Sequence, residues 1–156
     1  MALKEKLEKL KKLNEQNKEP DWEIYKEVWK NAIADLQNTI MYKWFDDYAE
    51  KGLMAFALIP TKRIEPYIGE YLTAVLEITL AENKFLALEP VSGVTTEYDG
   101  KLEFYMRGNI YKKVSILRRV INKKEHEWII AKSYDSKDHY KLDKLEFEKL
   151  IEEWLQ

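Results

Sequence analysis

The residues best suited to interaction chemistry fall in one block. Lys101, Arg107, Lys112, Lys113, Arg118, Arg119, Lys123 and Lys124 stand between positions 101 and 124 against a single carboxylate, Glu103: eight cations to one anion, a net +7. Phe104, Tyr105 and Tyr111 are interleaved with them. Cations that meet phosphates, next to rings on which bases stack, are what single-stranded nucleic-acid binding uses. Strand alternation limits that reading. It sends Lys112 and Lys113 to opposite faces, and Arg118 and Arg119 likewise, so no single face holds all eight. If Lys123–Lys124 form the two-residue turn of a hairpin, Arg119 stands opposite Trp128 as a cross-strand cation–π partner, and Glu125 and Glu127 offset nearby positive charge. The ribbon (Arg107, Tyr111, Lys112, Lys113, Arg118, Arg119, Lys123 and Lys124) is then either a polyanion-binding surface or a solvated or protein-docking sheet face.

A second charged group is Asp46, Asp47 and Glu50. Paired carboxylates can do general acid–base work or hold magnesium. On an exposed helix face they read more simply as a solvated charge run, and as an acidic docking candidate. The histidines are His126, between Glu125 and Glu127, and His139, close to Asp135 and Asp138. Neither matches a metal-ligand spacing, and alternation turns Glu125 and Glu127 away from His126, so no metal site is expected. With no cysteine in the chain, thiolate nucleophiles, disulfides and cysteine zinc sites are excluded. The five glycines form no phosphate-cradling loop, and no serine sits in a nucleophile elbow. No catalytic residue and no cofactor are assigned.

These groups must be positioned by elements legible in the pattern of apolar residues. The longest runs from Asp21 to Gly52. Tyr25, Val28, Trp29, Ala32, Ile33, Leu36 and Ile40 recur at helical spacing, Pro20–Asp21 marks the start, and Lys51–Gly52 the end. On a helical wheel its apolar face drifts by about 100° between the first half and the second, where Met41, Trp44, Phe45 and Tyr48 take over. A bend near Gln37–Asn38–Thr39 would account for the drift; the reading preferred here is an unbroken helix whose halves bury against different partners. Upstream, residues 3–18 read as a short helix with Leu3, Leu7, Leu10 and Leu13 on one stripe, expected to dock on the long helix or fray.

Beyond Gly52 the period becomes two. Leu53–Ile59 is a continuous apolar run, expected to be a strand buried on both faces. Glu70–Leu80 alternates cleanly. Lys84–Leu88 follows a turn at Glu82–Asn83. Asp99–Gly100 is the strongest hairpin signal, joining a strand at 94–98 to one at 101–107. Ile110–Ile121 reads as a long strand with a bulge near Lys112–Lys113, and Glu125–Ser133 as its partner. Asp143 with Glu146 makes a capping box, and Leu142 with Phe147 a hydrophobic staple, for a last helix buried through Phe147, Leu150, Ile151 and Trp154.

The expectation is one α+β domain over residues 1–156. Two N-terminal helices, the second long, precede an antiparallel meander of six or seven strands curling around the long helix, and a C-terminal helix closes the chain. Residues 1–19 are the part expected to be mobile or ordered by a partner. At 46% apolar and 35% charged, with no apolar run long enough to span a bilayer, the chain reads as cytoplasmic with no membrane partner. The functional expectation is a non-enzymatic binding module with a protein partner. The alternatives are single-stranded nucleic acid or another polyanion on the 101–124 ribbon, and a hydrophobic small ligand between sheet and helix.

Overall fold

The computed structural model describes residues 2–16, 21–133 and 135–156. Its helices are α1 (Leu3–Gln16), α2 (Trp22–Asn38), a π-helical turn (Thr39–Trp44), α3 (Asp46–Glu50) and α4 (Lys144–Leu155). Seven strands lie between α3 and α4: β1 (Met54–Glu65), β2 (Gly69–Leu80), β3 (Lys84–Ser92), β4 (Lys101–Met106), β5 (Lys113–Asn122), β6 (Glu125–Ala131) and β7 (His139–Lys141). They form one antiparallel sheet in sequence order, a meander as expected. The α+β class and the order of helices around the sheet agree with the pattern of the chain.

The caps explain where the helices begin and end. The Asp21 carboxylate accepts from the N–H groups of Glu23 and Ile24, which α2 would otherwise leave unpaired. Pro20 lies outside the described residues. Gly52 takes φ +72°, the left-handed geometry expected after α3. Asp143 accepts from the Glu146 N–H at 2.8 Å, and Leu142 and Phe147 are both buried beside that cap. Phe147, Leu150, Ile151 and Trp154 then face the core, as their spacing requires.

Four expectations are corrected. First, the long helix is not one α-helix. Thr39–Trp44 is wound as a π-helix and Phe45 breaks the helical backbone at φ −121° before α3. A π-turn advances about 82° per residue instead of 100°, so six residues fall behind an α-helical wheel by roughly 110°. That lag cancels the apparent drift of the apolar face. Ile40, Met41 and Phe45 are buried in the same core as Trp29, Ile33 and Leu36. The drift is the imprint of the π-turn, and the second half also meets a further partner, since Trp44 and Phe45 pack on Phe147 of α4.

Second, Leu53–Ile59 is not a central strand. It opens β1, the edge of the sheet, and Leu58 (46%) and Ile59 (42%) remain exposed. Third, Asp99–Gly100 is no hairpin turn and residues 94–98 form no strand. Residues 93–100 are a loop between β3 and β4, and the seventh strand is β7. Fourth, β5 starts at Lys113, its bulge falls between Val120 and Asn122, and Ile110 and Tyr111 sit in the preceding loop.

The sheet's inner face packs on α2, the π-turn and α4 in one cluster. Phe104 packs at a tilt against Phe147 and stacks on Trp154, with ring centroids 4.5 and 5.2 Å apart. Burying a ring of this size contributes about 2–3 kcal/mol. The tryptophans available for a ligand pocket are spent on this packing: Trp29 and Trp154 are buried, and Trp22, Trp44 and Trp128 pack against the cluster. The leucine stripe of α1 is different, since Leu3, Leu7 and Leu10 are exposed rather than docked on α2. Residues 17 and 18, read as helix, lie outside the described residues.

Candidate functional site

Three of the ribbon's eight cations, Arg107, Lys113 and Arg119, have carboxylate partners where they stand. Arg107 pairs with Glu77 on β2 at 2.5 Å and covers the Phe85 ring. Lys113 pairs with Glu103 at 2.6 Å across the β4–β5 ladder. The Lys112 ammonium donates to the Trp154 carbonyl at the C-terminal end of α4, where the helix dipole favours a cation. Tyr111 is 90% exposed in the β4–β5 loop, well away from a stacking row on the sheet. Such exposed ion pairs add only about 0.2–1 kcal/mol each to stability, but each one reduces the field that a phosphate backbone would follow.

The bulge near Val120 shifts the β5–β6 register by one residue from the expectation. Arg119 faces Glu127, not Trp128, and its Nε donates to Glu127 at 2.9 Å. Arg118 takes the place opposite Trp128. It is buried (4% exposed) while Arg119 stays outside, which is the alternation foreseen for that pair. The Arg118 Nε donates to His126 Nδ1 at 2.7 Å, and its Nη1 donates to the Asp99 carbonyl at 3.1 Å. Burial, partly opposed by Tyr25 and Asp99, pulls the Arg118 pKa down.

Burial first, then the Arg118 charge, hold the His126 imidazole below its ordinary value, with Asp35 pulling the other way. The unfolded chain then binds a proton at this position that the folded chain refuses, at pH values just below about 6.5. Stability contributed by the neutral ring is complete above that pH and declines as the pH falls through the folded-state value. In urea unfolding, wild type should lose stability between about pH 7 and 5 more steeply than His126→Gln, whose side-chain oxygen keeps the bond from Arg118 without titrating.

A second polar constellation escaped the sequence reading. Glu65, at the end of β1, is buried and accepts from the Tyr71 hydroxyl, from Ser92 Oγ at 2.9 Å and from the Gly93 N–H at 2.9 Å. The Tyr71 hydroxyl in turn accepts from Trp29 Nε1 at 3.1 Å. Burial, then the bond to Glu65, push the Tyr71 pKa far above the ordinary tyrosine range. The Tyr25 hydroxyl, also raised by burial and by Asp99, donates to the Gly93 carbonyl at 2.6 Å. These bonds clamp the 93–100 loop onto α2. They are closed upon one another, with no buried side-chain N or O left unpaired among the described residues.

What remains open is the edge of the sheet. From Leu53 to Thr61 the chain carries no charge, and Ala55, Ala57, Leu58, Ile59 and Pro60 are exposed. Among the described residues, residues 54–65 make no backbone hydrogen bond apart from the ladder with β2. Natural edge strands are commonly guarded by charges, bulges or a covering element. Here Pro60 is the one guard along the uncharged run, and it removes a single donor. The acidic candidates adjoin this edge: Asp46, Asp47 and Glu50 lie on α3, which packs against β1. At the far end, Lys62 is half-exposed and paired with Glu70 at 3.0 Å.

Fold and site together define an α+β protein with an open antiparallel meander and an unguarded apolar edge. No protein-family model, no curated protein and no solved structure matches the chain. No helix among the described residues is long and apolar enough to cross a membrane, and no three His, Asp or Glu side chains there converge as a metal site would require.

Proposed function

We propose that this chain is a non-enzymatic protein-binding module that works by strand addition along β1, and that its partner is a second copy of itself. The observation carrying this reading is the free twelve-residue edge, uncharged through its first eight positions. An added antiparallel strand would pair the unused N–H and C=O groups and cover Leu58 and Ile59. Charge complementarity favours a second copy as the donor of that strand. In an antiparallel pair the start of one β1 lies against the end of the other. Setting Leu58 opposite its own counterpart places Lys62 of one copy opposite Met54 of the other, close to the acidic α3. The acidic group and the basic end of β1 then meet twice, once on each side of the two-fold axis.

Sedimentation equilibrium tests the reading. Wild type should form dimers at micromolar concentration. Ala57→Lys, which puts an ammonium on the exposed edge, should be monomeric with unchanged circular dichroism. Asp47→Lys should weaken the dimer by about tenfold, and more at low salt than at high. A wild-type protein that stays monomeric at every concentration, or dimers indifferent to Ala57→Lys, would refute strand pairing at β1.

A further inference from the structure

Where α2 passes the β5–β6 hairpin, a cleft of about 330 Å3 remains open. That volume is within the range of small-molecule sites. Val28 and Ala32 of α2 and Val120 of β5 give it apolar lining, and the buried Arg118 borders it as well. Lys123 and Lys124 of the β5–β6 turn and Asp35 of α2 line it too, all three exposed.

From this arrangement we infer that the cleft binds a small molecule bearing an oxyanion, a carboxylate or phosphate, on an apolar body, with Arg118 as the anchor. A guanidinium this deeply buried is costly unless a counter-charge meets it. None of the ion pairs among the described residues includes Arg118; its bonded partners are a neutral ring nitrogen and a backbone carbonyl. Those partners occupy Nε and Nη1. Nη2 has no bonding partner among the described residues and, since no fully buried side-chain nitrogen there is unpaired, it is not fully buried; Arg118 itself lines the cleft. A planar guanidinium presenting free N–H groups suits an oxyanion.

The neighbours extend the same recognition. Because His126 Nδ1 accepts from Arg118, a neutral imidazole carries its proton on Nε2, a second donor on a residue that lines the cleft. The β5–β6 turn is held in place rather than loose. Asn122 Oδ1 accepts from the Lys124 N–H at 2.9 Å and from the Glu125 N–H at 3.0 Å, which fixes the turn that carries both lysines. Among the described residues neither lysine is engaged in an ion pair, unlike Arg107, Lys113 and Arg119. Asp35 and Glu125 line the same cleft and oppose the anion. They keep the site from being a general polyanion trap and set a sign for each substitution.

Calorimetric titration with benzoate, phenyl phosphate and neutral benzyl alcohol tests this. At least one aryl anion should bind and benzyl alcohol should not; the tighter of the two anions identifies carboxylate or phosphate as the preferred group. Arg118→Met should weaken binding by tenfold or more, a loss of about 1.4 kcal/mol or greater. Two exposed substitutions decide the matter even if that variant folds poorly: Lys123→Glu should weaken binding and Asp35→Asn should tighten it, each by about threefold. Failure of both anions to bind, equal binding of benzyl alcohol, or the same sign for the two exposed variants would overturn the assignment. The titration is run on the Ala57→Lys variant as well, where unchanged affinity keeps this result independent of assembly through β1.

Discussion

Gly100→Ala is expected to lower the unfolding free energy by about 3 kcal/mol. The six-membered ring of Trp29 lies directly on the Gly100 backbone. A Cβ built there would stand 2.2 Å from Cζ3 and 2.7 Å from Cη2 of that ring. Trp29 cannot retreat, because it is wholly buried and its indole N–H is bonded to Tyr71. Gly100 also holds φ +149°, a backbone geometry that L side chains rarely adopt. Both costs apply at once. Gly52→Ala is the control: φ is again positive at +72°, but nothing lies within 4 Å, so backbone strain of about 1 kcal/mol is the whole expected loss. Urea unfolding of the two variants separates the steric part from the conformational part. Replacing Trp29 by Leu in the Gly100→Ala background should recover a coupling of about 1–2 kcal/mol.

Glu65→Leu should cost about 3 kcal/mol for a different reason. The carboxylate is the acceptor at which three donors converge, from Tyr71, Ser92 and Gly93. With an apolar side chain in its place, Ser92 Oγ can still turn to the Val94 carbonyl, 2.7 Å away. The Tyr71 O–H and the Gly93 N–H have no such recourse and are left buried without an acceptor, at about 1–3 kcal/mol each. Glu65→Gln keeps one acceptor oxygen and should cost roughly half as much. Glu70→Gln, which breaks only the exposed pair with Lys62, should stay below about 0.5 kcal/mol. Amide exchange at Gly93 gives an independent reading, since Glu65→Leu should release protection of the 93–100 loop while leaving β5 protected. An equal loss in the Glu65 and Glu70 variants would mean that the buried network contributes nothing special.

The elements that could be read from the chain are those set by neighbours in sequence. The Asp21 and Asp143 caps, the left-handed Gly52 and the turn at Lys123–Lys124 all follow from contacts within a few residues and are found where the pattern places them; the alternation expected from Leu72 to Leu80 holds at Leu76, Ile78 and Leu80 but not at Leu72, which is exposed while Tyr71 is buried. The π-turn was visible too, as a drift of the apolar face, but a wheel drawn at a fixed 100° per residue does not separate a change of winding from a change of partner, and both are present. The Asp99–Gly100 signal failed because glycine there answers a distant demand. It makes room for Trp29, some seventy residues earlier, not for a tight turn. The cation–π pairing of Arg119 failed because a one-residue bulge moves every later residue to a new opposite number, and no local propensity announces a bulge at Ile121.

The candidate sites divide along the same line. The sequence by itself determined which residues carry charge, that Arg118 and Arg119 point to opposite faces, that the acidic group sits on a helix end, and that the apolar run after Gly52 opens a strand, which the fold begins at Met54. Only the tertiary structure decided that this strand is an edge, that Arg107, Lys113 and Arg119 already have carboxylate partners, and that Arg118 lies buried without one. The physical reason is range. Periodicity and capping are set by backbone geometry over one or two turns, whereas the partner of a charge and the neighbour of a strand are set by residues brought together from across the chain.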